Sequence, residues 1–566
     1  MKALLVQSPA TSPWLAHREW EPPSISLATI AGQIDNHDIK IADAVRWRKR
    51  ARHNFLRTLD EVRPDVVGFS SMTFQYDSTL RFAYLTKQFD PKIRTVLGGY
   101  HASLFHRELA EGPDAEYWDA IIRGEGDHSF GEYLDALEDG GRGLDAVLGL
   151  SYKEDGQFFH NGPRPLADLS QLRIPDRSKR LVGGFHMYFR RADVIETSRG
   201  CLHACKFCSI RQMYGKAYRE FPLDRVAIDV EDAYRRGARH IFIVDDNITM
   251  DMDRFEALCD TIIALKLRNL KFTTQASPIG FAKRPDVARK MVQAGIVSIF
   301  LGIENISTKN LRAMRKPNTV ETIRKGIRAV QEAGGIPIAG IINGLRHDDL
   351  ESIRENYAFL RSMGITGVMD QIMTPYPCTQ LREEMLAEGS VANHQDFRWY
   401  DGYFSNVSTD NFDSAGLQYA RWRLRREIIG MWRPTRADWK HFKDFTVLWQ
   451  FAMRHLVWVN ERTLETLFGL EGRYKLQMQN FMQLNNFGIE IPGRDRTDTY
   501  NPLFGDSTDP FYQTRLELLR TEIRSAAAER FRSEDEKPNG PTRTIKRRIT
   551  QLVERAVNPQ QHAAKL

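Results

Sequence analysis

Three cysteines fall within eight positions of this 566-residue chain, in the segment TSRGCLHACKFCSI at Thr197–Ile210. Cys201, Cys205 and Cys208 form a C-x3-C-x2-C arrangement. Three thiolates on one loop can each bind one iron of a cubane [4Fe-4S] cluster, leaving the fourth iron without a protein ligand and open to chemistry. The competing reading is structural zinc, which needs four closed ligands. His203 is the nearest fourth donor, but between the first two cysteines it is poorly placed to complete a tetrahedron, and there is no second C-x2-C half. Only Cys259 and Cys378 remain, and no cysteine precedes Cys201, a distribution that fits a reducing compartment rather than a disulfide framework.

Two series of elements must position these residues. In the first, the apolar runs Lys2–Gln7, Asp65–Ser70 and Thr95–Gly99 are each followed by a helix-like stretch: Ser26–Ile34, Thr79–Gln88 and His106–Leu109. Strands alternating with helices predict an α/β, Rossmann-like doubly wound parallel sheet. Its ligands sit outside the carboxyl ends of the strands, where Ser70, Ser71, Thr73, Gly98, Gly99, Tyr100 and the RGEG turn with Gly124 and Glu125 would gather as a cofactor pocket. The plainer reading of Gly98 and Gly99 is a tight turn.

The second series has strand candidates at Ala192–Glu196, His240–Val244, Lys271–Thr274, Ser298–Gly302, Pro337–Ile342 and Gly367–Met373, with helical stretches such as Leu223–Arg236 and Met252–Leu267 between them. Six βα units predict a partial (β/α)6 TIM-type barrel with its chemistry at the carboxyl strand ends. The domain reading is therefore 1–150 for the first sheet, 151–190 for a linker, 191–385 for the barrel, 386–525 for a mainly α-helical C-terminal domain and 526–566 for a charged tail.

Asp245 and Asp246 in VDDNIT are paired carboxylates. Asp245 is the acid–base candidate and Asp246 the pocket candidate, strand alternation being expected to turn one away from the other. The formal charge of +7 is spread along the chain, and no apolar stretch approaches a membrane span. The opening MKALLVQSPATSPW lacks a basic leader and an apolar h-region, so a soluble cytoplasmic protein is expected.

The cysteine spacing, with Phe207 before the last cysteine, resembles the radical S-adenosylmethionine (radical SAM) superfamily over about Ala192–Leu381. VDDNIT, GIENIS (Gly302–Ser307) and TPYPCTQL (Thr374–Leu381) follow in order near predicted strand ends. The resemblance implies that the open iron chelates S-adenosylmethionine and that one electron splits the sulfonium into a 5′-deoxyadenosyl radical. It also implies that Glu304 binds the ribose or amino group, with Gln275 and Ser277 nearby. Cys378, in the PYPCT turn, would then give hydrogen to a product radical or hold a covalent intermediate, the plainer reading being a buried small residue, as for Cys259.

EPPSISLATIAGQI, DVVGFSSMT, VLGGYHAS and IIRGEGDHSF match, in order, the pattern of a cobalamin-binding domain. The whole chain thus resembles the cobalamin-binding-domain radical SAM enzymes of the class B methyltransferase type, which include ring-forming members. The D-x-H-x-x-G signature that supplies a histidine to cobalt is absent, and His101 and His128 occur in other contexts. The resemblance implies a [4Fe-4S] cluster, S-adenosylmethionine and cobalamin, a reductant such as flavodoxin or ferredoxin, and methylation of an unactivated carbon on a small-molecule or lipid substrate. Radical cyclisation or oxidation of a tetrapyrrole is the sister reading, and a cobalamin-sensing binding protein is the reading from another class. A nucleic-acid partner is not expected, because the related methylthiotransferases carry three further cysteines before the motif. The aromatic stretch Phe442–Phe487, with Arg454 and Arg462, is read as a greasy channel, a peripheral membrane contact or helical core.

Overall fold

A computed structural model of the chain describes residues 1–9, 20–47, 50–188, 190–365 and 367–429, with isolated positions between 437 and 500. Of the helical domain expected over 386–525, the part from 430 on, including the stretch Phe442–Phe487, lies outside the described residues apart from those isolated positions, as does the tail 526–566.

Parallel strands are covered on both faces, so they read as near-continuous apolar runs such as VVGFS at Val66–Ser70. Five of them build the first sheet in the spatial order Asp38–Asp43, Lys2–Gln7, Val66–Ser70, Arg94–Gly98, Ala120–Ile122. Alternation splits each strand between two apolar layers. Leu4 and Val6 pack with the helices Ala51–Val62, Tyr76–Phe89 and Tyr100–Glu111, whereas Ala3 and Leu5 pack with Ile25–Gly32 and Gly126–Glu138. The strand order reverses between Lys2–Gln7 and Val66–Ser70, which makes the crevice at their carboxyl ends the ligand position of such a sheet. The side chain of Gln75 closes the floor of that crevice, accepting from Gln7 and donating to the Ser8 carbonyl.

The stretch read as a linker contributes more than a crossing. Leu150–Glu154 and Gln157–His160 form an antiparallel hairpin that extends the first sheet beyond Ala120–Ile122. Ile489 and Ile491, from far along the chain, join one apolar layer of the same sheet.

The second sheet holds the six expected parallel strands in sequence order: Arg190–Ile195, His240–Ile243, Lys271–Ala276, Ile296–Glu304, Ile336–Asn343 and Gly367–Ile372. Beyond the first of them lie two short antiparallel strands, His186–Met187 and Trp20–Glu21. Between strands, helices bury one stripe. In Val320–Glu332, capped by Thr319, Ile323, Ile327 and Val330 recur at helical spacing and face the barrel core. The helix Ser414–Ile429 docks on the last strand through fully buried Arg421, 3.2 Å from Asp370, which also accepts from the Tyr357 hydroxyl at 2.7 Å. Among the described residues no helix is long and apolar enough to cross a membrane.

Candidate functional site

The cysteine loop leaves the carboxyl end of the first barrel strand through a two-stranded ribbon, Ser198–Gly200 paired with Tyr218–Glu220. At Gly200 the backbone is left-handed (φ 91°), and a Cβ would collide with the Ala217 carbonyl across the ribbon. Gly200→Ala is therefore expected to cost about 1–3 kcal/mol from backbone strain. Thermal melting checks this, with iron per chain falling in parallel.

The loop is pinned at its other side by Lys206, whose backbone N–H donates to the Met314 carbonyl (3.0 Å) and whose carbonyl accepts from Leu381 (3.1 Å). Its ammonium pairs with Glu384 at 2.8 Å. All three thiols are half-buried, and burial pushes Cys205 up to about 11 and Cys208 up to about 12. Cys205 also feels Cys201, and Cys208 feels both Cys201 and Cys205, as like charges. Thiols that each take a different iron need not converge on one point, and among the described residues no three Cys, His, Asp or Glu side chains converge to hold a single metal ion.

Both carboxylates of VDDNIT serve this loop. Strand alternation does not apply to them, because the strand has ended at Ile243. Asp245 is buried and accepts from the Thr197 N–H and the hydroxyls of Thr197 and Ser198. Its oxygens are spent on positioning the ribbon, which replaces the acid–base reading. Asp246 accepts from the Gly200 N–H at 2.8 Å, and burial raises its pKa to about 6. Asn247, which the sequence reading did not single out, bonds the Cys201 thiol and accepts from the Ser277 N–H at 3.0 Å. Ser277 caps the helix Pro278–Lys283, and half-buried Gln275 is the last residue but one of the strand before it.

Glu304 sits on a register shift at the end of Ile296–Glu304, with a left-handed backbone (φ 66°). A bulge of this kind re-aims a side chain. Here the carboxylate meets the Lys316 ammonium at 2.7 Å, with the side chains 12% and 10% exposed. Burial works to lower the pKa of Lys316, but Glu304 and the thiols of Cys205 and Cys208 outweigh it and lift it above the ordinary value. Lys316 is thus a buried cation shared by Glu304 and the cysteine loop, and nothing local in the sequence distinguishes it from the other basic residues.

The first sheet brings its loops to the same place. At Gly99 (φ 90°) a Cβ would lie 2.7 Å from the Ser71 carbonyl oxygen, so only glycine lets the loops after two neighbouring strands touch. Ser71 is buried with its hydroxyl turned to the Met72 carbonyl, and Thr73 is buried too, while Ser70 and Gly98 are partly exposed at the rim. Gly124 bonds Ser103 and has open space before it. Tyr100 reaches furthest: its phenol is hydrogen-bonded to Tyr214 and lies within electrostatic reach of Asp246 and Cys208.

Glu125 departs from the pocket reading. Its side chain is buried and accepts four hydrogen bonds, from Arg199 (2.8 Å) and Arg219 (2.7 Å) on one oxygen and from Arg219 (3.1 Å) and the Ala167 N–H (2.8 Å) on the other, which leaves its carboxylate no free lone pair for a cofactor. Cys378, exposed and left-handed (φ 58°), directs its thiol to the Leu104 carbonyl of the first domain at 3.4 Å. Cys259 is core, as expected.

His101 is wedged between Tyr76 and Phe105, ring centroids 4.2 and 5.0 Å away, and burial pushes its pKa down to about 3. An imidazole depressed in this way stabilises the fold above its ordinary pKa of about 6.5, and that contribution is lost as pH falls toward the folded value. His101→Phe is expected to flatten the acid limb of apoprotein stability between about pH 6 and pH 4, read by urea unfolding across pH.

Comparison with known proteins agrees with this geometry. Residues 195–360 match the Radical SAM superfamily, and residues 12–134 match the B12 binding domain. The chain combines a radical SAM domain with a B12-binding domain. The cofactors that follow are a [4Fe-4S] cluster and S-adenosylmethionine in the barrel and cobalamin on the first sheet. Among the relatives, an uncharacterized methyltransferase of Pyrococcus horikoshii is 28% identical over 390 residues, 68% of this chain and 83% of the relative. The hopanoid C-3 methylase of Methylococcus capsulatus is 27% identical, covering 67% of this chain and 71% of its own length. The anaerobic magnesium-protoporphyrin IX monomethyl ester cyclase of Rubrivivax gelatinosus is 25% identical over 63% of this chain and 64% of the cyclase. Two solved structures share the radical SAM and cobalamin fold. The cobalamin-dependent enzyme OxsB, with aqua-cobalamin and S-adenosylmethionine bound, has a TM-score of 0.60 at 15% identity over 98% of this chain and 84% of that one. The methyltransferase TsrM from Kitasatospora setae, with cobalamin and a [4Fe-4S] cluster bound, has 0.56 at 16% identity over 68% and 75%.

Proposed function

We propose that this radical SAM enzyme methylates an unactivated carbon of a small-molecule or lipid substrate in a cobalamin-dependent reaction. When bound, the cluster and S-adenosylmethionine supply the 5′-deoxyadenosyl radical and cobalamin supplies the methyl group. The observation that carries this reading is the meeting of the two domains at the cysteine loop, where Arg199, two residues before Cys201, bonds Glu125 (2.8 Å) and Asp127 (2.7 Å) in a turn of the first sheet.

In this reading Cys201, Cys205 and Cys208 hold the cluster. Asp245, Asp246 and Asn247 hold the loop that presents them, and Glu304, Gln275 and Ser277 bind S-adenosylmethionine from neighbouring strand ends. Ser70, Thr73, Gly98, Gly99, Tyr100 and Gly124 form the rim that receives cobalamin. The domains are 1–160, including the hairpin, and 191–385. The relatives named for polycyclic lipids and for tetrapyrroles support a large apolar substrate, and flavodoxin or ferredoxin fits as the electron donor.

Product mass tests the reading. With S-adenosylmethionine carrying a deuterated methyl group and a panel of polycyclic lipids and tetrapyrroles, the product should gain one labelled methyl. A ring closure or an oxygen gain without label assigns the chain to the cyclase chemistry instead.

A further inference from the structure

The ribbon that presents the cysteines also grips the first domain. Arg199 and Arg219 are cross-strand partners in it, and Arg199 lies two residues before Cys201. Arg199 is buried and contacts Glu196 (2.9 Å), Glu125 (2.8 Å) and Asp127 (2.7 Å). Arg219 grips Glu125 through both guanidinium nitrogens, one sharing Oε1 with Arg199 at 2.7 Å and the other on Oε2 at 3.1 Å. Glu125 and Asp127 flank the start of the helix Gly126–Glu138, in the turn that follows the fifth parallel strand. On the same side, the Arg219 guanidinium lies 5.6 Å from the Tyr214 ring, and Tyr214 bonds Tyr100 of the neighbouring loop. Two loops of the first sheet are thus tied to one ribbon of the barrel.

A buried ion network of this kind returns little stability, because desolvation offsets its Coulomb energy; what it fixes is geometry. We infer that Arg199, Arg219 and Glu125 are positioning residues that set the separation between the cobalamin on the first sheet and the cluster on the cysteine loop. Arg199 transmits the position of the RGEG turn to the backbone that carries Cys201, and Arg219 transmits it to the tyrosine pair. The inference rests on the cofactor placement proposed above.

The experiment uses the full chain reconstituted with cluster and cobalamin, and pulsed electron paramagnetic resonance between cob(II)alamin and the reduced cluster. The unaltered protein gives a narrow spin–spin separation. Glu125→Gln keeps its iron and cobalamin content and still forms 5′-deoxyadenosine, but its separation broadens and methyl transfer falls by about 10²-fold, the scale of loss expected from roughly 1 Å of misplacement. Arg219→Gln, which leaves the Arg199–Glu125 pair in place, gives a smaller broadening and carries the test if Glu125→Gln does not fold. Arg219→Lys restores the narrow separation. An unaltered separation and unaltered methyl transfer in both Gln variants overturn the inference alone. A wild-type protein that binds no cobalamin overturns the proposed function instead.

Discussion

Cys205→Ala, reconstituted anaerobically with iron and sulfide, is expected to show no cluster absorbance and no 5′-deoxyadenosine above background, while its apoprotein melts within about 1 kcal/mol of the unaltered protein. Two thiols leave two irons of a cubane without protein ligands, so the cluster cannot be held against solvent. The loop itself does not depend on the thiol. Asp245 and Asp246 fasten the ribbon before Cys201, and the Lys206 backbone fastens the far side to Met314 and Leu381. A structural zinc would behave oppositely, its loss destabilising the domain. A cobalamin sensor with structural cysteines would lose folding rather than turnover. Optical spectra, a cleavage assay and a melting curve on the same sample separate these cases.

Lys316→Met is expected to have the largest effect away from the cysteines. The ammonium is buried against Glu304, within electrostatic reach of the thiols of Cys205 and Cys208. Removing one partner of a buried ion pair costs about 3–5 kcal/mol, because the other charge stays buried and unpaired. The loss of a positive charge beside the cluster also makes adding an electron harder, so the reduction potential shifts to more negative values. Glu304, no longer braced, should hold S-adenosylmethionine less well. Denaturant titration, a potentiometric titration followed by electron paramagnetic resonance, and an S-adenosylmethionine binding curve report the three consequences. Lys316→Arg should recover most of the potential but less of the binding, since a planar guanidinium does not replace a compact ammonium at Glu304.

The barrel was legible because each of its strands is covered on both faces and reads as an apolar run, as in HIFI at His240–Ile243 and IPIAGIIN at Ile336–Asn343. Asp38–Asp43 escaped notice because it is an edge strand whose charged residues interrupt the run, and Ala120–Ile122 because it has three residues. The hairpin at 150–160 did carry a signal, the Asp155–Gly156 turn, hidden among charged neighbours. The cysteine motif was legible because its chemistry is local in sequence. Lys316 and Asn247 were not, because folding brings them to the loop from distant points of the chain, and the role of Arg199 was not, because its partners Glu125 and Asp127 lie 74 and 72 residues earlier. Asp245 was misjudged for a related reason: a period of two holds only within a strand, and both aspartates lie past its end. Glu125 was misjudged because a carboxylate in a glycine turn looks the same in sequence whether it faces a cofactor or an arginine.

One reaction is proposed to use both cobalamin and a radical-generating cluster, held on the two loops that meet at Glu125 and Arg199. Incubating the reconstituted protein with S-adenosylmethionine and a strong reductant, with and without cobalamin, and quantifying both cleavage products tests it most directly. 5′-Deoxyadenosine is expected in both samples and S-adenosylhomocysteine only where cobalamin is present, because one molecule of S-adenosylmethionine makes the radical and a second methylates cobalamin. 5′-Deoxyadenosine without S-adenosylhomocysteine in the cobalamin sample, or neither product in any sample, would contradict it.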